Sequence, residues 1–310
     1  TRVYEKVKMN NRTRYLSLCN YLEKNHKIIV RDILPKKDKP FTKIFFPEKK
    51  EFHLSDLLNL ETKKLFAAAL VAQLEADDII EEYLADFSFP SESSKKVTKV
   101  ALLNYAGAAI IMPYEIFFHE CVKKHRYDLE LLQSTFAVSF EQVCHRVTSL
   151  NNPDPKLRGI PLHMIRVDRS GNVSKRFSLS GIELPRLSGA CPKWNVYSSF
   201  SNPGKISAAV SRMTDGEKYV CIARTVEKGI SKYGEEKGLL SIGLGCQIKY
   251  AKDFVYADGL NLNDEKSESK IGVSCRKCDR LDCSQRAFPP DTQNYDVDIN
   301  QRGVSIFVNV

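Results

Sequence analysis

Asn151-Asn152-Pro153-Asp154-Pro155 divides the chain into two kinds of sequence. Proline stops a helix and is kept out of central strands, and Asn, Asp and Pro together mark a loop. The hydrophobic period changes across it. Upstream, Leu65, Phe66, Ala69, Leu70, Leu74, Ile79, Ile80, Tyr83 and Leu84 recur at spacings of three and four, so residues 61–87 read as one long helix. Downstream, residues 161–168 and 173–178 alternate around Gly171-Asn172, and residues 206–213 and 218–225 around Asp215-Gly216; both pairs read as hairpins. Residues 239–248 read as a further strand, in which Gly243 and Gly245 admit a close neighbour. The fold class is α+β: a mostly helical part over 1–150, a mixed α/β part over 151–270 and a cysteine-rich tail over 271–310.

The helical part has further punctuation. Residues 1–30 read as a helix, residues 28–35 and 42–47 as short strands ended by proline, and His53 opens a helical stretch. Residues 95–111, rich in alanine, form a second helix expected to be buried, and Met112-Pro113-Tyr114 separates it from a third that runs to about His125. Ser139 and Gln142 form a capping box, so residues 129–150 hold two helices joined by Phe136-Ala137-Val138, a helix-turn-helix pattern. Phe140, Glu141 and Gln142 open the second helix where DNA-reading side chains would stand, and none is cationic, which favours a plain pair of core helices.

The 310 residues carry a net charge of +9, which suits a polyanionic partner, although the lysines are scattered rather than gathered in one block. No apolar stretch opens the chain and none reaches the length of a membrane span. Nine cysteines, an odd number, indicate a reducing, cytoplasmic compartment with buried or ligating thiols. The start at Thr1 is that expected of a fragment lacking an upstream part.

Cys275, Cys278 and Cys283 stand at the spacing C-x-x-C-x-x-x-x-C, with charged residues filling the gaps. A two-residue gap brings two thiolates to one metal from a single turn, and the longer gap brings a third. The fourth candidate is Cys191 in Gly189-Ala190-Cys191-Pro192, which would clamp the tail onto the middle of the chain. Zinc and an iron–sulfur cluster both suit four cysteines, and unrelated reduced thiols are the bland alternative.

Familiar catalytic patterns are missing. His119-Glu120 lacks the second histidine four residues on, where Lys123 stands. Cys144 and His145 are neighbours on a helix and face apart. Gly243-Leu244-Gly245 lacks the third glycine of a dinucleotide loop. An enzyme is not expected.

Several runs together resemble a known family: residues 103–114, 126–130 and 136–150, then Val167-Asp168-Arg169-Ser170-Gly171-Asn172, Gly189-Ala190-Cys191-Pro192-Lys193-Trp194, residues 219–225 and 242–246, and residues 271–290 with their three cysteines. They are similar to the ligand-sensing part of the short-chain fatty acyl-CoA transcription regulators, the ScfR group, which includes PrpR-type and RamB-type regulators. The resemblance covers residues from about 40 to 290. It implies an ImmA/IrrE-like helical domain over 1–150, degenerate as a metallopeptidase because residues 64–73 hold no His and no Glu. It implies an acyl-CoA-sensing domain over 151–270, and an iron–sulfur tail over 271–310 in which Cys191, Cys275, Cys278 and Cys283 hold a 4Fe–4S cluster rather than zinc. It also implies a DNA-binding helix-turn-helix domain upstream, homo-oligomers, and control of propionate or acetate metabolism through the methylcitrate or glyoxylate routes.

CoA joins phosphates, which favour Arg and Lys, to an apolar arm. Candidate contacts are Tyr114, Arg166, Arg169, Lys175, Arg176, Lys193 and Trp194. The rival from another class is a zinc-stabilised nucleic-acid-binding module that uses the helix pair over 129–150.

Overall fold

A computed structural model describes residues 2–7, 9, 13–185, 189–229, 234, 237–291, 297 and 299–307. The elements are α1 (Arg2–Val7), α2 (Arg14–His26), β1 (Ile29–Ile33), β2 (Lys43–Phe46), β3 (Glu51–Ser55), α3 (Leu60–Ala85), α4 (Glu92–Ile111), α5 (Tyr114–Phe118), α6 (Leu129–Phe136) and α7 (Phe140–Thr148). They continue with β4 (Leu162–Asp168), β5 (Val173–Ser178), α8 (Asn195–Ser198), β6 (Ser207–Arg212), β7 (Lys218–Lys228), β8 (Gly238–Gln247) and β9 (Ser269–Lys270). Two compact units result, Thr1–Glu120 with Leu129–Arg146, and Cys121–Asp128 with Val147–Val310.

In the first unit β3 lies between β1, parallel to it, and β2, antiparallel. Phe52 and Leu54 of β3 are buried. The helix expected from His53 therefore begins later: the period over 51–55 is two, and Asn59 caps α3 by accepting a hydrogen bond from the Thr62 N–H at 2.9 Å. The single helix expected over 1–30 is instead α1 and α2, with residues 1, 8 and 10–12 of that stretch outside the described residues.

The long helix α3 buries Ala67, Ala68, Ala69 and Ala72, and bends at Ala76 (φ −141°, ψ 16°). Gly107 of α4 fits against that alanine face so closely that a Cβ there would stand 2.7 Å from the Ala69 nitrogen. Of α4 only Gly107, Ile110 and Ile111 are buried, while Val97, Val100 and Tyr105 are exposed. The expectation of a buried second helix is corrected: alanine here marks close contact along one side, not burial all round. After α5 the third helix continues as a π-helical turn, His119–Lys124.

The capping box over 139–142 forms in both directions: the Gln142 N–H donates to Ser139 Oγ at 3.2 Å and the Ser139 N–H to Gln142 Oε1 at 3.0 Å. Phe136, Val138, Phe140, Val143 and Cys144 are buried. Arg146 is buried too; its Nε donates to the Met112 carbonyl at 3.0 Å and its guanidinium lies near the Tyr105, Tyr114 and Phe117 rings. The pair α6–α7 is a core pair, with the start of the would-be recognition helix turned inward.

The second unit is built on a six-stranded sheet in the order β5-β4-β8-β7-β6-β9, antiparallel except for β6 beside β9. Both expected hairpins form, and Gly216 takes the positive φ (88°) that its turn needs. The close neighbours of Gly243 and Gly245 are the protein's own atoms: a Cβ on Gly243 would meet Val196 of α8 at 2.4 Å, and one on Gly245 the Val220 carbonyl oxygen at 2.6 Å and the His163 ring at 2.7 Å. Burial drives His163 down to about 3, so the ring is neutral; it meets Ser180 Oγ at 2.9 Å and Cys221 Sγ at 3.6 Å. One face of the sheet carries Ile165, Val167, Tyr219 and Cys221 into a core shared with Cys191, Trp194 and Val196, and with Ile271 and Val273 of the tail.

Candidate metal centre and cationic sheet face

The tail reaches its place through β9. Ser269 and Lys270 pair with Ser211 and Arg212, and the Ile271 N–H donates to the Arg212 carbonyl at 2.9 Å. Beside this junction Glu268, almost fully buried, accepts a hydrogen bond from Arg212 at 2.6 Å and forms an ion pair with Lys218 at 2.5 Å. Arg212 and Lys218 hold the Glu268 carboxyl below its ordinary range. Burying Ile271 and Val273 contributes roughly 1.5–3 kcal/mol each, which is ample to fix a short segment of chain.

Beyond Val273 the chain turns at Cys275, where the Cys278 N–H faces the Cys275 carbonyl at 3.4 Å. Cys191, Cys275, Cys278 and Cys283 line one cavity, with Pro192, Ser274 and Arg286. Cys191 comes from the loop before α8, far upstream, and is buried like Cys278. Burial raises the Cys191 thiol, while the backbone N–H groups of Gly272 and Lys193 donate to its sulfur and pull the other way. The Ala287 N–H points at Cys275 Sγ at 3.5 Å. Gly272 makes room for Cys278: a Cβ there would stand 2.9 Å from its sulfur.

Arg286 organises the loop. Nη1 donates to the carbonyls of Cys275 (2.9 Å) and Phe288 (3.2 Å), and Nη2 to those of Cys278 (2.8 Å) and Arg280 (2.5 Å). Its Nε is buried without a hydrogen-bond partner among the described residues. A buried cation beside four thiols suits a ligand set that becomes anionic once the thiols lose their protons. Among the described residues no three His, Cys, Asp or Glu side chains close on a single ion; the four cysteines surround a shared space instead.

The candidate CoA residues fall in several places. Arg166 and Lys175 are register partners on β4 and β5, and Arg166 Nε donates to Ser174 Oγ at 2.9 Å. Arg176 pairs with Ile165 and therefore points to the opposite face, where Nη1 donates to the Pro185 carbonyl at 3.1 Å. Arg169 is exposed in the hairpin turn and Lys193 is half-buried. Trp194 is 2% exposed, deep in the core beside Cys191, so it supports the cysteine loop and presents no surface to a ligand. Tyr114 belongs to the first unit, where its ring lies parallel to that of Phe118.

Sequence reasoning missed Arg224. Lys175 pairs with Arg166, Arg166 with Ile242, and Ile242 with Arg224, so three cations stand in one row on one face of four consecutive strands. Each hairpin was legible, but the β4–β8 pairing that joins them is nonlocal and leaves no short-range signal.

A helical unit whose residues 64–73 hold no His and no Glu is followed in the chain by an antiparallel sheet unit with a four-cysteine cavity. Residues 152–307 match the short-chain fatty acyl coenzyme A regulator, C-terminal, family, and residues 28–148 match the IrrE N-terminal-like domain. The chain is 40% identical over 243 residues to the HTH-type transcriptional regulator RamB of Mycobacterium tuberculosis (strain ATCC 25618 / H37Rv), covering 78% of this chain and 51% of RamB. It is 38% identical over 234 residues to a propionyl-CoA carboxylase regulator of Cereibacter sphaeroides, covering 76% of this chain and 50% of that one. A solved Mycobacterium tuberculosis transcriptional regulator superposes with a TM-score of 0.91 at 30% identity, covering 99% of this chain and 92% of that one. The chain spans about half the length of the curated relatives it matches. It belongs to the short-chain fatty acyl coenzyme A regulator family. No single helix among the described residues is long and apolar enough to cross a membrane.

Proposed function

We propose that this chain is the sensing part of a cytoplasmic transcription regulator of short-chain acyl-CoA metabolism, and that it binds CoA or a short-chain acyl-CoA. Cys191, Cys275, Cys278 and Cys283 hold an iron–sulfur cluster, of the 4Fe–4S type. The observation that carries this reading is the shared cavity of those four cysteines with Arg286 at its wall. Four cysteines around one space suit either a polynuclear cluster or a single zinc, and the likeness to the short-chain fatty acyl coenzyme A regulators favours the cluster. When bound, the cluster supplies a redox-active clamp between the tail and the Cys191 loop. Arg286 supplies counter-charge, and the N–H groups of Gly272, Lys193 and Ala287 donate to the sulfurs.

The row Lys175, Arg166, Arg224 suits the phosphates of CoA. A relative whose name is propionyl-CoA carboxylase regulator favours propionate as the metabolism under control, with the methylcitrate and glyoxylate routes in the same chemical range. DNA contact falls to a helix-turn-helix domain outside this chain, as the name of the RamB relative suggests, and a homo-oligomeric assembly is part of the same proposal. The test is calorimetric titration of anaerobically prepared protein with propionyl-CoA, acetyl-CoA and CoA. Saturable binding of at least one supports sensing; no binding of any, by iron-loaded protein, rejects it.

A further inference from the structure

The α3–α4 hairpin carries apolar side chains on its outer surface. Past the bend at Ala76, α3 buries only Ile80 and Leu84. Ile79, Tyr83 and Phe87 are exposed, and their spacing of four puts them on one stripe, with the Tyr83 and Phe87 rings 5.1 Å apart. On α4, Val97 and Ala101 form a second stripe at the same spacing, with Val100 next to them, all exposed. Ile79 is 67% and Val97 70% exposed, so the fold of the single chain gains little from either. The helices run antiparallel here: Glu81 pairs with Lys95 at 3.2 Å, and Asp77 with Lys99 at 2.8 Å. The two stripes therefore lie at the same level of the hairpin. Apolar side chains scattered singly over a surface need no explanation, whereas gathered ones mark a contact.

Charge decides what fits there. Residues 77–86 hold five acids and no Lys or Arg, while residues 95–111 hold three lysines and no acid. Asp78, Glu82 and Lys96 are exposed and lie outside the ion pairs that join the two helices. Asp78 and Glu82 each precede a residue of the α3 stripe, and Lys96 precedes one of the α4 stripe, so each flanks its stripe. A partner must then be apolar with a basic rim opposite α3 and an acidic rim opposite α4. The same hairpin on a second copy offers both. Packing α3 on α3 would set acid on acid, and α4 on α4 lysine on lysine; only α3 on α4 matches charge, and a two-fold axis makes that contact twice.

We infer that the outer face of the α3–α4 hairpin is where two copies of this chain meet, α3 of each lying on α4 of the other. This rests on the homo-oligomeric reading above and names its surface. The contact lies in the first unit, apart from the cysteines and cation row of the second.

The test is light scattering across a dilution series of the anaerobically purified 310-residue chain, with circular dichroism to check folding. The parent should be a dimer that dissociates on dilution. Ile79→Asp and Val97→Asp, at exposed positions, should stay folded and raise the dissociation constant about 100-fold or more, since each change enters the contact twice. Asp78→Lys with Glu82→Lys should also weaken the dimer, as should Lys96→Glu, and mixing these two proteins should restore it, because α3 of each then meets opposite charge on α4 of the other. A parent that is monomeric throughout rejects the homo-oligomeric reading and this surface with it. A dimer of unchanged strength in folded Ile79→Asp and Val97→Asp overturns the surface alone, as does the absence of rescue on mixing.

Discussion

Arg286 donates to the carbonyl of Cys278 at 2.8 Å while its other terminal nitrogen donates to that of Cys275, so one guanidinium sets the spacing of two cysteines in the tail. The fork cannot be copied by an ammonium group, which offers no rigid pair of donors. Arg286→Met leaves buried carbonyls unpaired and is expected to cost on the order of 2–4 kcal/mol of local stability. Arg286→Lys should recover little of it. Iron retention during desalting, compared across the three proteins, checks this; retention by Arg286→Met equal to the parent's would count against it.

Gly107→Ala separates helix propensity from packing. Propensity alone predicts a gain of about 1 kcal/mol inside a helix. The added methyl, however, would stand 2.7 Å from the Ala69 nitrogen, and backbone cannot step aside cheaply. A loss of roughly 1–3 kcal/mol is expected, read as a lower urea midpoint. A raised midpoint would show that α3 and α4 are looser than described.

The cation row makes a prediction about faces. Arg166→Ala and Arg224→Ala should each weaken propionyl-CoA binding about 10- to 100-fold, the worth of one charge-assisted contact, and flatten its salt dependence. Arg176→Ala, on the opposite face of β5, should change affinity little. Calorimetry at two salt concentrations decides it. Equal losses from all three would assign the effect to general charge.

Lys64 gives unit stability a pH signature. Its folded value, about 8, lies below its ordinary 10.5. Between those values the unfolded chain binds the proton more readily than the folded one, so stability rises with pH across this window and is flat below it. Cysteines and tyrosines titrate there too, so the difference between the parent and Lys64→Met is the quantity to measure. It should climb from pH 8 to 10.5 in chemical denaturation and stay level from pH 6 to 7.5.

Local chemistry was readable where it acts over a few residues. The Ser139–Gln142 capping box and the Asp215-Gly216 turn both form as their residue types require. The strand over 51–55 was missed because Leu57, Leu58 and Leu60 follow it at spacings that also fit a helix, while its parallel partner β1 is earlier in the chain. Exposure of α4 was missed because an alanine-rich sequence does not say how many sides are covered. At the site, the cysteine spacing and the Cys191 loop were legible and the structure puts all four around one cavity. Arg286 and Arg224 were not, since one acts through backbone carbonyls and the other through a pairing of distant strands.

The most direct measurement is the iron, acid-labile sulfide and zinc content of anaerobically purified protein, parent against Cys191→Ser and Cys278→Ser. Brown protein with iron and sulfide in near-equal amounts, both lost from either variant, is the expected result. Stoichiometric zinc without sulfide, after anaerobic purification and cluster reconstitution, would contradict it.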